Sequence, residues 1–279
     1  MDKSILVIGS GVWGKKINSL FQSWGFKVSQ CGARNFLELN FESKKHIVNN
    51  QIIWIASTPD LQIRTISEIS NFQKSSIVIL EKPFFRDHIE KIQFSDILKK
   101  TNLNLRASSP WVYSDIWSKS KKKLLDLLAP LDITIKRSGP SNNKSILPYL
   151  DWLSHDVQLL ADLFNSEVSI DYVNSRIEDP KLDLSKIEVR LSDGSKLEMS
   201  GGFSNSKLSS WVAQDAKGCS IEIDFYSKTL KYFGSDQILI ESYKSPCDDN
   251  PLLNMMLNYL EQPNVKNVES NVRWQEVLI

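Results

Sequence analysis

The chain has 279 residues, of which 41% are hydrophobic and 24% charged, and its 34 basic and 33 acidic side chains leave a net charge of +1. That length is enough for two domains and a sizeable core. The charge balance excludes a strong electrostatic pull toward nucleic acid or an anionic membrane surface. No apolar segment approaches the ~20 residues needed to cross a bilayer, so no membrane partner is expected. The start runs directly into a strand, which predicts no signal peptide. Cys31, Cys219 and Cys247 are far apart and odd in number. They suggest neither a zinc site nor a disulfide framework, and they fit a reducing cytoplasm. His46, His88 and His155 are the only histidines, too few for a histidine metal cluster. His46 and His88 sit in polar surroundings and read as surface residues.

The first element is Ser4–Ile8, an apolar run of strand length. It breaks into Gly9-Ser10-Gly11-Val12-Trp13-Gly14, and a helix-like segment, Lys15–Trp24, follows. Three glycines at G-x-G-x-x-G spacing between a strand and a helix are the fingerprint of a dinucleotide site. Gly9 permits the tight turn, Gly11 lets the backbone approach a pyrophosphate, and Gly14 lets helix and strand pack closely. The helix N-terminus faces the negative charge. Trp13, inside the turn, is placed to lie over the diphosphate region. The alternative is a turn whose glycines serve packing alone.

Phe26–Gln30 reads as a second strand and Ile52–Ala56 as a third. Asp60–Phe72 follows as a helix with Ile63, Ile66 and Ile69 on one face. Ser76–Leu80 is a fourth strand, whose unbroken apolar run suits burial on both sides. Leu103–Ala107 is a fifth. The alternation predicts an α/β, doubly wound parallel sheet over residues 1–112, with functional residues at the carboxyl ends of its strands. The fourth strand passes into Glu81-Lys82-Pro83, charged groups where a cofactor would lie. A lysine there can reach a nicotinamide ribose and a substrate oxygen, and its charge would stabilise a developing alkoxide. An exposed strand-end salt bridge explains the spacing equally well.

After Pro110 the pattern changes, and residues 113–279 read as a second, α+β domain on a large, mostly antiparallel sheet. A helix is expected over Tyr113–Leu128, with Lys119–Lys123 on a solvated face. A strand, Leu131–Lys136, a polar loop, Ser138–Lys144, and a helix, Pro148–Phe164, come next. Strands follow at Ile170–Val173, Lys186–Leu191, Lys196–Gly201, Ser209–Ala213, Ser220–Phe225 and Thr229–Tyr232. Asp193-Gly194 and Lys217-Gly218 mark turns between them. Leu252–Tyr259 is a late helix. On the Pro148–Phe164 helix, Asp151 and His155 are four residues apart and share one face. A histidine can pass a proton near neutral pH, and a carboxylate one turn away can orient it. A solvated Asp–His pair is the plainer reading of that spacing.

The order and separation of Gly9–Gly14, Ser57-Thr58-Pro59-Asp60, Glu81-Lys82-Pro83 and Asp151 with His155 resemble the Gfo/Idh/MocA oxidoreductases, the relatives of glucose–fructose oxidoreductase and inositol dehydrogenase. The resemblance covers nearly the whole chain. It implies a Rossmann domain followed by a domain with a large open sheet. It implies hydride transfer between a nicotinamide cofactor and an alcohol or carbonyl carbon of a sugar, cyclitol or sugar nucleotide. On that resemblance Lys82 positions substrate and cofactor, His155 is the general acid/base, and Asp151 holds substrate or tunes His155. Ser57, Thr58, Pro59 and Glu81 would lie along the cofactor, with no metal involved. The chain departs from the family at Gln158, where an aspartate is usual, at Ile63, where a histidine is usual, and at Leu153, where a glycine is usual. These departures bear on substrate class more than on fold.

An acid about 20 residues past the glycines marks NAD preference. Here that region reads Ser29-Gln30-Cys31-Gly32-Ala33-Arg34, with no acid and one arginine able to hold a 2′-phosphate. NADP(H) is the expected cofactor and NAD(H) the alternative. Two other functions share these features: an imine or tetrapyrrole-type reductase, and a non-catalytic regulator that senses NADP. The eight tryptophans suit packing first, although Trp111, Tyr113 and Trp152 could stack on a sugar. An open sheet needs its exposed face covered, which predicts a homodimer or larger assembly.

Overall fold

The structure, a computed structural model, describes residues 4–49, 52–72, 76–140, 146–164, 168–179, 184–262 and 268–279. In chain order the first elements are β1 (Ser4–Ile8), α1 (Val12–Ser23), β2 (Lys27–Cys31), α2 (Ala33–Glu38), α3 (Phe41–Ile47), β3 (Ile52–Ile55), α4 (Pro59–Ile69), β4 (Ile77–Leu80), α5 (His88–Lys100) and β5 (Asn104–Ala107). Their strands form a parallel sheet in the order β2-β1-β3-β4-β5. The order reverses at β1, and the crevice at such a reversal is where open α/β sheets bind ligands.

Strands that are apolar on both faces require cover on both. Leu6, Ile8, Ile53, Ile55, Val78 and Leu80 join Phe36 of α2, Ile63, Ile66 and Ile69 of α4 and Phe94 of α5 in one core. On the opposite face Trp54 meets Phe21 of α1, ring centroids 5.3 Å apart. This unit runs to Ser108, and the chain returns to it at Tyr259–Val272 and Ile279. Tyr259 donates its hydroxyl to the carbonyl of Ala107 at 2.6 Å, and Val272 and Ile279 pack in the same core as Leu6.

The second unit holds Ser109–Asn258 and Arg273–Leu278. After a 3-10 turn at Pro110–Tyr113 come α6 (Asp115–Asp126), β6 (Leu131–Gly139), α7 (Pro148–Leu163), β7 (Ile170–Asp179), β8 (Leu184–Leu191), β9 (Lys196–Phe203), β10 (Leu208–Asp215), β11 (Ser220–Asp224), β12 (Thr229–Phe233), β13 (Leu239–Lys244), α8 (Pro251–Glu261) and α9 (Val268–Gln275). The eight strands pair in the order β13-β12-β11-β10-β6-β9-β8-β7. Only β6 and β9 pair in parallel, and the other neighbours are antiparallel. The two-part fold class expected from the sequence is the one observed.

Alternation along β6 sends Leu131, Ile133, Ile135, Arg137 and Gly139 inward. There α7 lies against β6 and β9. A side chain at Gly139 would collide with Trp152, and one at Gly201 with Leu153, so both glycines let the helix approach. The expected turns at Gly194 and Gly218 are formed, each glycine at φ 86°, where a side chain would be strained. The opposite face exposes Lys136, Glu188, Arg190, Lys196, Glu198, Glu222 and Lys231. No helix among the described residues is long and apolar enough to cross a membrane.

Several elements differ from the patterning. The helix expected over Tyr113–Leu128 is divided at Ser114, whose hydroxyl caps α6 by accepting from the Trp117 N–H at 3.2 Å. The loop expected over Ser138–Lys144 begins inside β6, and residues 141–145 lie outside the described residues. Helix α5 defeats the amphipathic pattern: Ile89 and Ile92 are 70% and 62% exposed while Glu90 is buried. It starts because Asp87 accepts the Glu90 N–H at 2.9 Å.

Candidate functional site

Gly9 ends β1 at the reversal of strand order. Its N–H donates to the Cys31 carbonyl at 2.8 Å, and its φ is 152°. A β-carbon there would collide with the Ala56 carbonyl beyond β3, so only glycine fits. A β-carbon on Gly14 would in turn strike the Gly9 carbonyl. That carbonyl is held by Gln30 Nε2 at 2.7 Å, and Gln30 Oε1 accepts from Asn18 Nδ2 at 3.0 Å. Gln30 falls on the alternation of Phe26 and Val28, where an apolar side chain would be expected. That mismatch was the available signal for a residue the motif alone does not single out.

Gly11 is the N-cap of α1, and nothing lies within 4 Å of where its β-carbon would be. The first turn of α1 has no acidic residue. Val12 is 90% exposed, and Ser10 is exposed beside it. At the neighbouring strand end, Ser57 has a buried hydroxyl with no partner, Thr58 is the N-cap of α4, and Pro59 is its first residue. Free helix N–H groups, an open approach at Gly11 and an absence of acid fit a dinucleotide diphosphate.

The fourth strand end is tightly held. Glu81 is buried, and its Oε1 accepts three donors: Trp13 Nε1 at 2.6 Å, Trp54 Nε1 at 2.9 Å and Ser108 Oγ at 3.0 Å. Burial pushes the Glu81 carboxyl up, against the opposing pull of those donors and of Lys82. The main-chain carbonyl of Glu81 accepts from Gln62 Nε2 at 2.8 Å. Gln62 is fully buried on α4, two residues past Asp60, and reads in the sequence as an ordinary polar helix residue. Beyond Pro83, Phe84 and Phe85 are buried against Phe94, and Arg86 engages Glu90 bidentately and Asp60 at 3.4 Å. Lys82 itself is half-buried between these anchors and engages other groups. Trp13 therefore lies in the turn as expected, but its indole N–H is committed to Glu81, and Lys16 Nζ stands 5.2 Å from its ring centroid.

Arg34 is exposed in the first turn of α2, after Gly32. A β-carbon on Gly32 would come 3.3 Å from Ser10 Oγ, so the start of α2 adjoins the glycine turn.

In the second unit, Asp151 and His155 lie one turn apart on α7, both half-buried, while Leu153, Ser154 and Asp156 are buried. Asp156 receives Arg137 Nε at 2.6 Å on Oδ2 and Trp211 Nε1 at 2.7 Å on Oδ1. Asp162, farther along, receives Trp117 Nε1 at 2.7 Å and Lys121 Nζ at 2.9 Å from α6. The helix is thus fixed by Asp156 and Asp162, while Asp151 and His155 engage other groups. Gln158 and Leu153 are both buried. Trp111 packs edge-on against Phe225, centroids 5.8 Å apart.

No family model and no curated protein matches the chain in sequence. Solved structures match along its whole length. UDP-N-acetylglucosamine 3-dehydrogenase GnnA from Acidithiobacillus ferrooxidans is 14% identical with a TM-score of 0.78, covering 99% of this chain and 95% of that one. The dehydrogenase MviM from Clostridium difficile is 15% identical with a TM-score of 0.72, covering 100% and 98%. Biliverdin reductase from Synechocystis sp. PCC 6803, solved with biliverdin and NADP+, is 10% identical with a TM-score of 0.70, covering 100% and 97%. The chain has the fold of these oxidoreductase structures, a parallel five-stranded sheet and a separate, mostly antiparallel eight-stranded one.

Proposed function

We propose that this chain is an NADP(H)-dependent oxidoreductase of the Gfo/Idh/MocA family, acting on an alcohol or carbonyl carbon of a sugar, cyclitol or sugar-nucleotide substrate. The observation that carries the reading is the glycine turn at the reversal of strand order, in the same unit as Lys82 at the end of β4. The cofactor, when bound, supplies or accepts the hydride. In this reading Gly9, Ser10, Gly11, Val12, Trp13 and Gly14 surround the diphosphate, and Ser57, Thr58 and Pro59 flank the cofactor. Lys82 binds the reacting oxygen and holds its negative charge. His155 moves the proton of that oxygen, and Asp151 orients His155 or binds a substrate hydroxyl.

The exposed Arg34 and the lack of an acid at the end of β2 support preference for a 2′-phosphate. The open sheet face, with its mixed charges, supports self-association of the chain through complementary ion pairs. Three free cysteines support a reducing compartment, the cytoplasm.

Titration with NADPH and with NADH, followed by tryptophan fluorescence, tests the cofactor. NADPH is expected to bind more tightly. Redox assays with UDP-N-acetylglucosamine and with biliverdin then separate the sugar reading from the tetrapyrrole one. Activity on a sugar nucleotide that is lost in both Lys82→Ala and His155→Ala would establish the mechanism. Binding of neither dinucleotide would end it.

A further inference from the structure

We infer that Glu81 is a positioning residue: it clamps the indole of Trp13 and thereby ties the glycine turn to the strand end that carries Lys82. The inference rests on the dinucleotide reading above for its consequence, but not for its geometry.

Glu81 is anchored through both its main chain and its side chain. Its N–H donates to the Ile55 carbonyl at 3.3 Å, and its carbonyl takes Gln62 Nε2 at 2.8 Å. The same Nε2 lies 3.5 Å from the Pro83 carbonyl, so one buried amide spans both sides of Lys82. The side chain turns the other way, and Oε1 gathers N–H and O–H groups from three separate elements. Trp54 belongs to β3 and Ser108 follows β5, both neighbours of β4 in the sheet. Trp13 is different. It comes from the first turn of α1, 68 residues away, and is 39% exposed.

The three donors converge on one oxygen, Oε1. That oxygen is their shared acceptor, and removing it strands all three N–H and O–H groups. The indole N–H is the only hydrogen-bonding group of the Trp13 side chain, and it is committed to Glu81. Oε1 is thereby committed inside the protein. Glu81 acts on a dinucleotide through Trp13, not by touching it.

The test uses Glu81→Met, which removes the acceptor, Trp13→Phe and the double variant. Without ligand, acrylamide quenching of indole emission is measured. Glu81→Met should leave one indole more accessible than in the unaltered chain, and the increment should disappear in the double variant. With NADPH, each single variant should bind about tenfold more weakly, and the double no worse than either, because both changes cut one contact. Trp13→Phe keeps an aromatic side chain and removes the N–H, so it carries the binding test even if Glu81→Met folds poorly. Ser108→Ala removes a donor from the same oxygen without touching the turn, and NADPH affinity should stay within about twofold. Unchanged NADPH binding in Trp13→Phe, or additive losses in the double variant, overturns the proposal. If the unaltered chain binds no NADPH, the cofactor reading fails. The quenching arm then still judges the clamp, and unchanged quenching in Glu81→Met refutes it.

Discussion

Arg137 and Asp156 form an ion pair inside the second unit, Nε to Oδ2 at 2.6 Å, with side chains 3% and 0% exposed. Arg137 arrives from the inward face of β6, Asp156 from the buried face of α7. Trp211 donates to the other carboxylate oxygen, and the guanidinium lies 5.5 Å from the centre of the Phe225 ring. The pair fixes the rotation of α7 about its own axis, and with it the direction of His155, the next residue back along the helix.

Breaking such a pair from one side leaves a buried charge without its counter-ion. Asp156→Ala should therefore cost about 3–5 kcal/mol. Urea unfolding measures this directly. Replacing both partners by apolar residues, Arg137→Met with Asp156→Leu, should recover much of the loss, since no charge is then stranded. A single variant as stable as the unaltered chain would show that the pair supports nothing.

The two outer glycines of the turn and the middle one are restricted for different reasons, and substitution separates them. Gly9→Ala meets both the Ala56 carbonyl and a φ of 152°, so it should lose about 2–4 kcal/mol of stability. Gly11→Ala meets nothing within 4 Å and should unfold within about 1 kcal/mol of the unaltered chain. It should nevertheless bind NADPH at least about tenfold more weakly, because the methyl fills the space through which a diphosphate approaches. Thermal melts and NADPH titrations of the same two preparations make the comparison. Full NADPH affinity in Gly11→Ala would remove the turn from the cofactor site.

Arg34 gives a prediction that distinguishes the two dinucleotides. Arg34→Ala removes an exposed cation at the start of α2. NADPH affinity should drop about tenfold, the worth of one charge-assisted contact to phosphate, while NADH affinity stays level. Equal losses for both cofactors would assign Arg34 to folding and not to the 2′-phosphate. No loss for either would leave it a solvated side chain.

How much of this was legible follows from what each element must do. Ile52–Ile55 and Ile77–Leu80 are buried on both faces, so they appear in the sequence as unbroken apolar runs and their parallel pairing can be inferred. The long strands of the second sheet alternate because one face is open. Helix α5 and strand β13 show neither pattern. Ile89, Ile92, Leu239 and Ile240 all point outward, which no periodicity argument expects. The return of Tyr259–Val272 to the first unit depends on contacts such as Tyr259 with Ala107, 152 residues apart. The candidate residues were legible as a series of motifs, because each sits at a strand end or on one helix face. What they touch was not. That Glu81 would spend a carboxylate oxygen on Trp13 and Trp54 depends on which indoles the fold brings together. The same is true of Gln62, whose side chain reads as an ordinary polar helix residue until its burial is known.

The last prediction concerns pH. Tyr243, on the edge strand β13, donates its hydroxyl to the carboxylate of Asp115 in the first turn of α6. That hydrogen bond, assisted by burial and by the negative charges of Asp115 and Asp249, pushes the phenol from 10.0 up to about 12. A group whose value is raised by folding stabilises the fold fully below its unfolded value and loses that contribution as pH climbs through the folded one. The fastening of β13 to α6 should therefore persist up to pH 10.0 and be lost between there and about 12. Ultraviolet difference titration should show a phenol ionising at the top of that range that is absent from Tyr243→Phe. At about pH 9 the variant should melt below the unaltered chain, and the gap should close as the pH approaches the raised value. Lys123 and Glu241 are paired at 2.7 Å between the same two elements. A lysine ammonium also loses its charge in strong alkali, so the phenol is read from the difference between the unaltered chain and Tyr243→Phe and not from either melt by itself. A gap that stays constant across the range would show that Tyr243 contributes by packing and not through its proton.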